Sequence, residues 1–189
     1  FLRQAIMQYY PKFAHAVGAV DSFVMQNWGL LLCAAGILGG TVAGVISDHV
    51  FGSRRGPVAA LLYGCMLAGS IATVFLLESV LIGFLFVFLS LCIIGVHGML
   101  SGTASMDFGG RKNVGIAVGI IDGFVYLGTA VMSFWYGWRL PQGEEAKDPS
   151  NWGEWPLWMI PLAVIGLVLA AKLWNAKPKP KKQAEAAAD

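Results

Sequence analysis

Runs of about twenty mostly apolar residues recur along this chain with only short polar breaks between them, and nothing else limits its possible folds as much. They fall near residues 21–47, 57–77, 80–106, 114–138 and 155–174, and residues 1–14 read as the shortened end of one more. About twenty such residues in helical form cross the hydrocarbon core of a bilayer. Inside that core each backbone N–H and C=O needs a partner within the protein, which selects helices for runs of this length. The reading is an all-α integral membrane protein. Residues 1–174 form a six-helix bundle whose first helix is truncated. Residues 175–189, rich in lysine, proline and alanine, are too polar to span and are expected to form a basic, disordered cytoplasmic tail. Composition agrees: the chain is 57% hydrophobic and 13% charged, against ~45–50% and ~25% for a soluble domain. A net charge of +2 is too small to suggest a nucleic-acid partner. Cys33, Cys65 and Cys92 each lie inside an apolar run, so an odd set of thiols in hydrocarbon argues against a disulfide framework. The pattern is already under way at Phe1 and no signal-peptide layout precedes it, so the expectation is a piece of a longer chain.

The sharpest motif is the break at Gly40-Thr-Val-Ala-Gly44-Val-Ile-Ser-Asp48-His-Val-Phe-Gly52-Ser-Arg54-Arg55-Gly56. Gly40 and Gly44 lie one turn apart and are expected to permit close helix approach. Asp48 sits where the helix leaves the bilayer, placed to accept from the N-terminus of a neighbouring helix. Gly52 turns the chain, and Arg54 and Arg55 hold the loop in the cytoplasm. A short loop latched this way is a structural element with two states, so Gly44, Asp48, Gly52, Arg54 and Arg55 are the candidate gating residues.

Basic residues set orientation. One side collects Arg54, Arg55, Arg111, Lys112, Lys172, Lys177, Lys179, Lys181 and Lys182. The other has Lys12, Arg139 and Lys147, diluted by Glu144, Glu145, Asp148 and Glu154. The first side is expected to be cytoplasmic, with the C-terminus inside and the long 142–152 connection outside. Trp135, Tyr136, Trp138, Trp152, Trp155 and Trp158 gather near that connection and Trp174 near the opposite end; they read as interfacial anchors. Gly115, Gly119 and Gly123 form a second small-residue ladder, read as a close-packing face.

Ionisable groups at bilayer depth are functional candidates by default. Arg3 offers planar paired donors that match phosphate or carboxylate oxygens; taken alone it fits an anion receptor or a structural ion pair equally. Asp122, Tyr126 and Thr129 share a helical face that fits a cavity lining, with Asp122 as counter-ion or proton carrier, or a structural pair to another helix. His97 fits an interhelical hydrogen bond better than a proton relay. No phosphate-cradling loop, metal spacing or nucleophile elbow occurs, so no catalysis and no cofactor are expected.

The order Leu2-Arg3, Tyr10-Pro11, the 40–55 loop, Arg111-Lys112-Asn113-Val114-Gly115, Gly119 and Phe124-Val125-Tyr126-Leu127-Gly128 resembles the C-terminal half of the organophosphate:phosphate antiporter family within the major facilitator superfamily. The likeness covers roughly residues 1–133. The Asp–Arg-Arg loop is common to the superfamily; Leu-Arg ahead of Tyr-Pro, with Tyr-Leu-Gly further on, is more specific. The resemblance implies helices seven to twelve of a twelve-helix transporter, with a six-helix N-terminal half lying outside this chain. It implies exchange of a sugar phosphate or glycerol phosphate against inorganic phosphate across a bacterial inner membrane. Arg3 matches a phosphate-binding arginine, Tyr126 matches a cavity tyrosine, and Asp122 is expected to adjust charge balance. Three departures stand out: Val96-His97 replaces a frequent Gly-Pro, Asp122 stands where small or hydroxyl residues are common, and the outer connection is long. They leave a membrane sensor of a sugar phosphate, or a facilitator of another organic anion, as alternatives.

Overall fold

The computed structural model describes residues 1–176, with the side chains at 103, 104 and 107–112 left outside the description. The expected basic tail beyond 176 and the side chains of Asp107, Arg111 and Lys112 therefore lie outside it. Every regular element among the described residues is helical: α1 Leu2–Ala16, α2 Phe23–Gln26, α3 Trp28–His49, α4 Arg55–Leu76, α5 Ile82–Gly98, a π-helical segment Met99–Ala104, α6 Ser105–Arg139, two 3-10 turns Gly143–Lys147 and Pro149–Gly153, α7 Glu154–Leu157 and α8 Met159–Lys172. Among the described residues, five stretches are long and apolar enough to cross a membrane: Trp28–His49, Arg55–Leu76, Ile82–Gly102, Asn113–Arg139 and Pro149–Lys172. α1, at 15 residues, is shorter than a span.

The breaks have local causes. Gly18 takes φ +75° after α1, and the Ser22 hydroxyl accepts from Met25 N–H to start α2. Gly52 and Ser53 take φ +58° and +61° between α3 and α4. The 142–152 connection is folded rather than loose. Trp152 Nε1 donates to the Ala146 carbonyl at 2.9 Å. Asp148 accepts from the Ser150 hydroxyl and backbone N–H, which holds its carboxyl below the usual range.

α3 packs on α5, α4 on α5 and α8, and α1 on α5 and α6. Aromatic contacts define one end: Tyr10 meets Trp28 at 4.6 Å and Phe86 at 5.5 Å, Phe13 meets Trp152 at 5.4 Å, and Phe86 stacks on Trp155 at 4.5 Å. At the other end Phe51 meets Trp174 at 6.2 Å, and Gly56 lies against the Leu173 backbone. The connections thus alternate between two ends, and Arg54, Arg55 and Lys172 share the second.

Three expectations need correction. Tyr136, Trp152 and Trp155 are buried, not interfacial anchors. Each finds an internal partner for its polar atom, as burial of that atom requires: Trp155 Nε1 donates to the Ala5 carbonyl at 3.0 Å and the Tyr136 hydroxyl to the Trp155 carbonyl at 2.8 Å. Second, Gly40 and Gly44 face open space. The close approach falls one position earlier, where a Cβ on Gly39 would collide with the Leu91 carbonyl and one on Gly95 would lie 2.8 Å from the Gly39 carbonyl. The packed stripe of α3 is Ala35, Gly39, Ala43 and Ser47, spaced one turn apart, and its small side chains let the backbones touch. Gly115, Gly119 and Gly123 also face open space. Third, helix is assigned through 105–113, where a basic loop was expected. α6 runs 35 residues, about 52 Å if straight. Phe86 and Tyr136 nevertheless both meet Trp155, while Val96 and Ile121 line one cavity further along. α5 and the 121–136 stretch of α6 therefore run antiparallel.

Candidate functional site

Arg3 lies on the face of α1 that turns toward α5. The register follows from the aromatic end. Tyr10 meets Phe86, so seven residues back along α1 and seven forward along the antiparallel α5 bring Arg3 level with Ile93, one turn short of His97. A cavity of about 270 Å³ opens there, and its wall includes Arg3, His97, Tyr63, Ile121 and Val125. That volume is near the lower end of the ~300–1,000 Å³ usual for small-molecule pockets.

Arg3 is half-buried. Its Nε donates to Met7 Sδ at 3.4 Å, a weak acceptor, and no carboxylate pairs with it among the described residues. Taking a guanidinium out of water without a counter-charge is expensive. His97, also half-buried, lies within electrostatic reach of Arg3 and of Asp122. Its backbone carbonyl accepts from the Ser101 hydroxyl at 2.8 Å.

The other candidate substrate residues divide. Asp122 stands one residue from Ile121 on α6, half-buried, beside the cavity. Tyr126 is 72% exposed, and α6 presents Ile121 and Val125 to the cavity in its place. The Thr129 hydroxyl donates to the Val125 carbonyl of its own helix.

The short loop forms a separate cluster. Arg55 Nη1 donates to Asp48 Oδ1 at 2.7 Å and to Ser47 Oγ at 2.9 Å. Ser53 Oγ donates to Asp48 at 3.0 Å, and Ser47 Oγ to the Arg54 carbonyl at 3.2 Å. Arg54 Nε donates to the Phe51 carbonyl at 3.0 Å. Asp48 thus takes its bonds from two side chains, where a helix N-terminus was expected. The Arg55 side chain is 10% exposed and Asp48 49%, so the arginine is the inner partner and Asp48 closes the pair from the water side. Ser47 and Ser53 were missed as partners; a serine beside an Asp–Arg loop is too common a pattern to single out. The antiparallel register of α1 and α5 puts His97 one turn from the level of Arg3, a proximity that neither helix's own pattern contains.

Comparison with known proteins adds one relative. The chain is 28% identical, over 196 residues, to a glycerol-3-phosphate transporter of Bacillus subtilis (strain 168). The match covers 93% of this chain and 38% of that protein, so the chain spans about 38% of the length of its relative. No protein-family model matches the chain, and no solved structure matches it. Apolar helices of spanning length and a transporter relative together support an integral membrane protein.

Proposed function

We propose that this chain forms the phosphate-receiving half of a membrane transporter for a small phosphorylated metabolite, a sugar phosphate or glycerol phosphate. The observation that carries the reading is Arg3: a half-buried guanidinium, lining a cavity, with no carboxylate partner among the described residues. The relative's name points to the same chemistry. Arg3 receives the phosphate through paired N–H donors. Asp122 sets the charge beside it, and Tyr126 meets substrate when the exposed face of α6 is covered.

The cavity is one wall of the site. Exposed apolar side chains on α3 and α6, among them Ile37, Val45, Ile116, Ile120 and Phe124, supply a surface for a second six-helix half of major facilitator type. Two such halves rocking about a midplane site give alternating access, with inorganic phosphate as the exchanged anion. The cluster of Asp48, Arg54 and Arg55, turned by Gly52 and flanked by Gly44, latches one facing state. The basic end faces the cytoplasm, which puts the C-terminus inside a bacterial plasma membrane.

The test is counterflow. Proteoliposomes loaded with inorganic phosphate should accumulate labelled glycerol 3-phosphate, and unloaded ones should not. Saturable binding without accumulation would sink the transport reading and favour a sensor; accumulation unaffected by internal phosphate would sink the exchange.

A further inference from the structure

The reading above assigns Arg3 to the anion and leaves His97 unused. The two side chains line the same cavity from facing helices, and no hydrogen bond engages the His97 ring among the described residues. The charged and titratable groups around it are few. α1 contributes Arg3, α4 the phenol of Tyr63, and α6 Asp122. α8 contributes Leu162. α3 packs on α5 through Gly39, with its Asp48 and His49 at the loop end.

Charge decides what this arrangement accepts. Arg3 is the one cationic side chain in the described lining of the cavity, so with a neutral imidazole that lining falls one charge short of matching a dianion. A protonated His97 adds a second N–H donor and one positive charge beside Arg3. Its ordinary pKa lies close enough to neutrality for an arriving anion to draw a proton onto it. By linkage, whatever the anion gains from that proton, the proton gains from the anion.

Resting on the anion-receptor reading of Arg3, we propose that His97 is a second ligand for the same anion, and that a dianionic phosphate monoester binds together with one proton taken from water onto the imidazole. The proton leaves with the anion. The site then prefers monoesters, which carry two charges, over phosphodiesters and carboxylates, which carry one.

The test uses the purified full chain in lipid nanodiscs and inorganic phosphate as probe. Calorimetry at pH 8, where the probe is already a dianion, in two buffers of different ionisation enthalpy, should report uptake of about a third of a proton per phosphate, the amount linked to a tenfold gain at pH 6.5. His97→Gln should bring that uptake near zero and weaken binding about tenfold at pH 6.5, with the gap closing toward pH 8.5. A His97→Gln protein with unchanged proton uptake and affinity overturns the inference. If the variant does not fold, the wild-type uptake decides alone, and a value near zero overturns it. Arg3→Gln separates the two readings. Loss of phosphate binding in Arg3→Gln beside a normal His97→Gln removes the histidine and keeps the receptor. Phosphate binding that survives Arg3→Gln, or that is absent from the wild type, removes both.

Discussion

Gly39 is where adding one methyl group should matter most. A Cβ there would run into the Leu91 carbonyl, a backbone atom that cannot rotate away, with Gly95 N a further 3.2 Å neighbour. α3 and α5 would have to separate along the contact that places α5, and hence His97. Overpacking of this kind costs about 1–3 kcal/mol. One residue on, Gly40 has no atom within 4 Å of its would-be Cβ, so alanine there adds helix propensity of up to ~1 kcal/mol. That propensity gain applies at both positions and cancels between them, so the two single-methyl variants should differ by the overpacking term, about 1–3 kcal/mol, or roughly 2–12 °C in midpoint for a chain of this size. Thermal unfolding in detergent, followed by tryptophan fluorescence, reads the difference directly. Gly39→Ala should fall below wild type and Gly40→Ala should match or exceed it. Gly40→Ala as damaging as Gly39→Ala would mean that the packed stripe is rotated from Ala35, Gly39, Ala43 and Ser47.

The remaining predictions concern the aromatic end and the loop. Trp155→Phe keeps the stack on Phe86 but loses the bond to the Ala5 carbonyl, and should cost about 1 kcal/mol; Trp155→Ala should cost about 3–5 kcal/mol, both by the same unfolding assay. Gly52→Ala places a side chain at φ +58° and should cost about 1–2 kcal/mol. Ser53→Gly relieves the backbone at φ +61° but gives up the bond to Asp48. It should therefore be milder than Ser53→Ala, which keeps the strain and loses the same bond. Glu154→Gln breaks an ion pair with Arg139 whose Nε–Oε2 distance is 2.8 Å. Both partners are open to solvent, so the unfolding midpoint should barely move.

The spans were legible because hydropathy over twenty residues is set by the bilayer and needs no knowledge of neighbours. The Gly52 turn was legible for a similar reason, since positive φ is local chemistry. The rotation of α3 was not. Small residues stand at 35, 36, 39, 40, 43 and 44, so two adjacent stripes qualify, and only the partner helix selects between them. The tryptophans failed for the same reason: Trp155 and Trp158 are three residues apart in sequence, yet one is buried and the other exposed. Arg3 was visible as a charge at membrane depth. Its neighbour His97 was visible only as a separate residue, because their meeting depends on how α1 and α5 align.

Equilibrium binding of glycerol 3-phosphate to wild type, Arg3→Lys and Arg3→Gln tests the central claim most directly. Losing charge-assisted hydrogen bonds to the phosphate should cost about 1.5–3 kcal/mol, which is roughly 10–150-fold in affinity. Lysine should recover part of that loss, because it restores charge without the paired geometry. The account predicts wild type tighter than Arg3→Lys, and Arg3→Lys tighter than Arg3→Gln, with all three unfolding at similar temperatures. Equal affinity in all three, or a lowered unfolding temperature with affinity intact, would make Arg3 a structural residue and contradict the account.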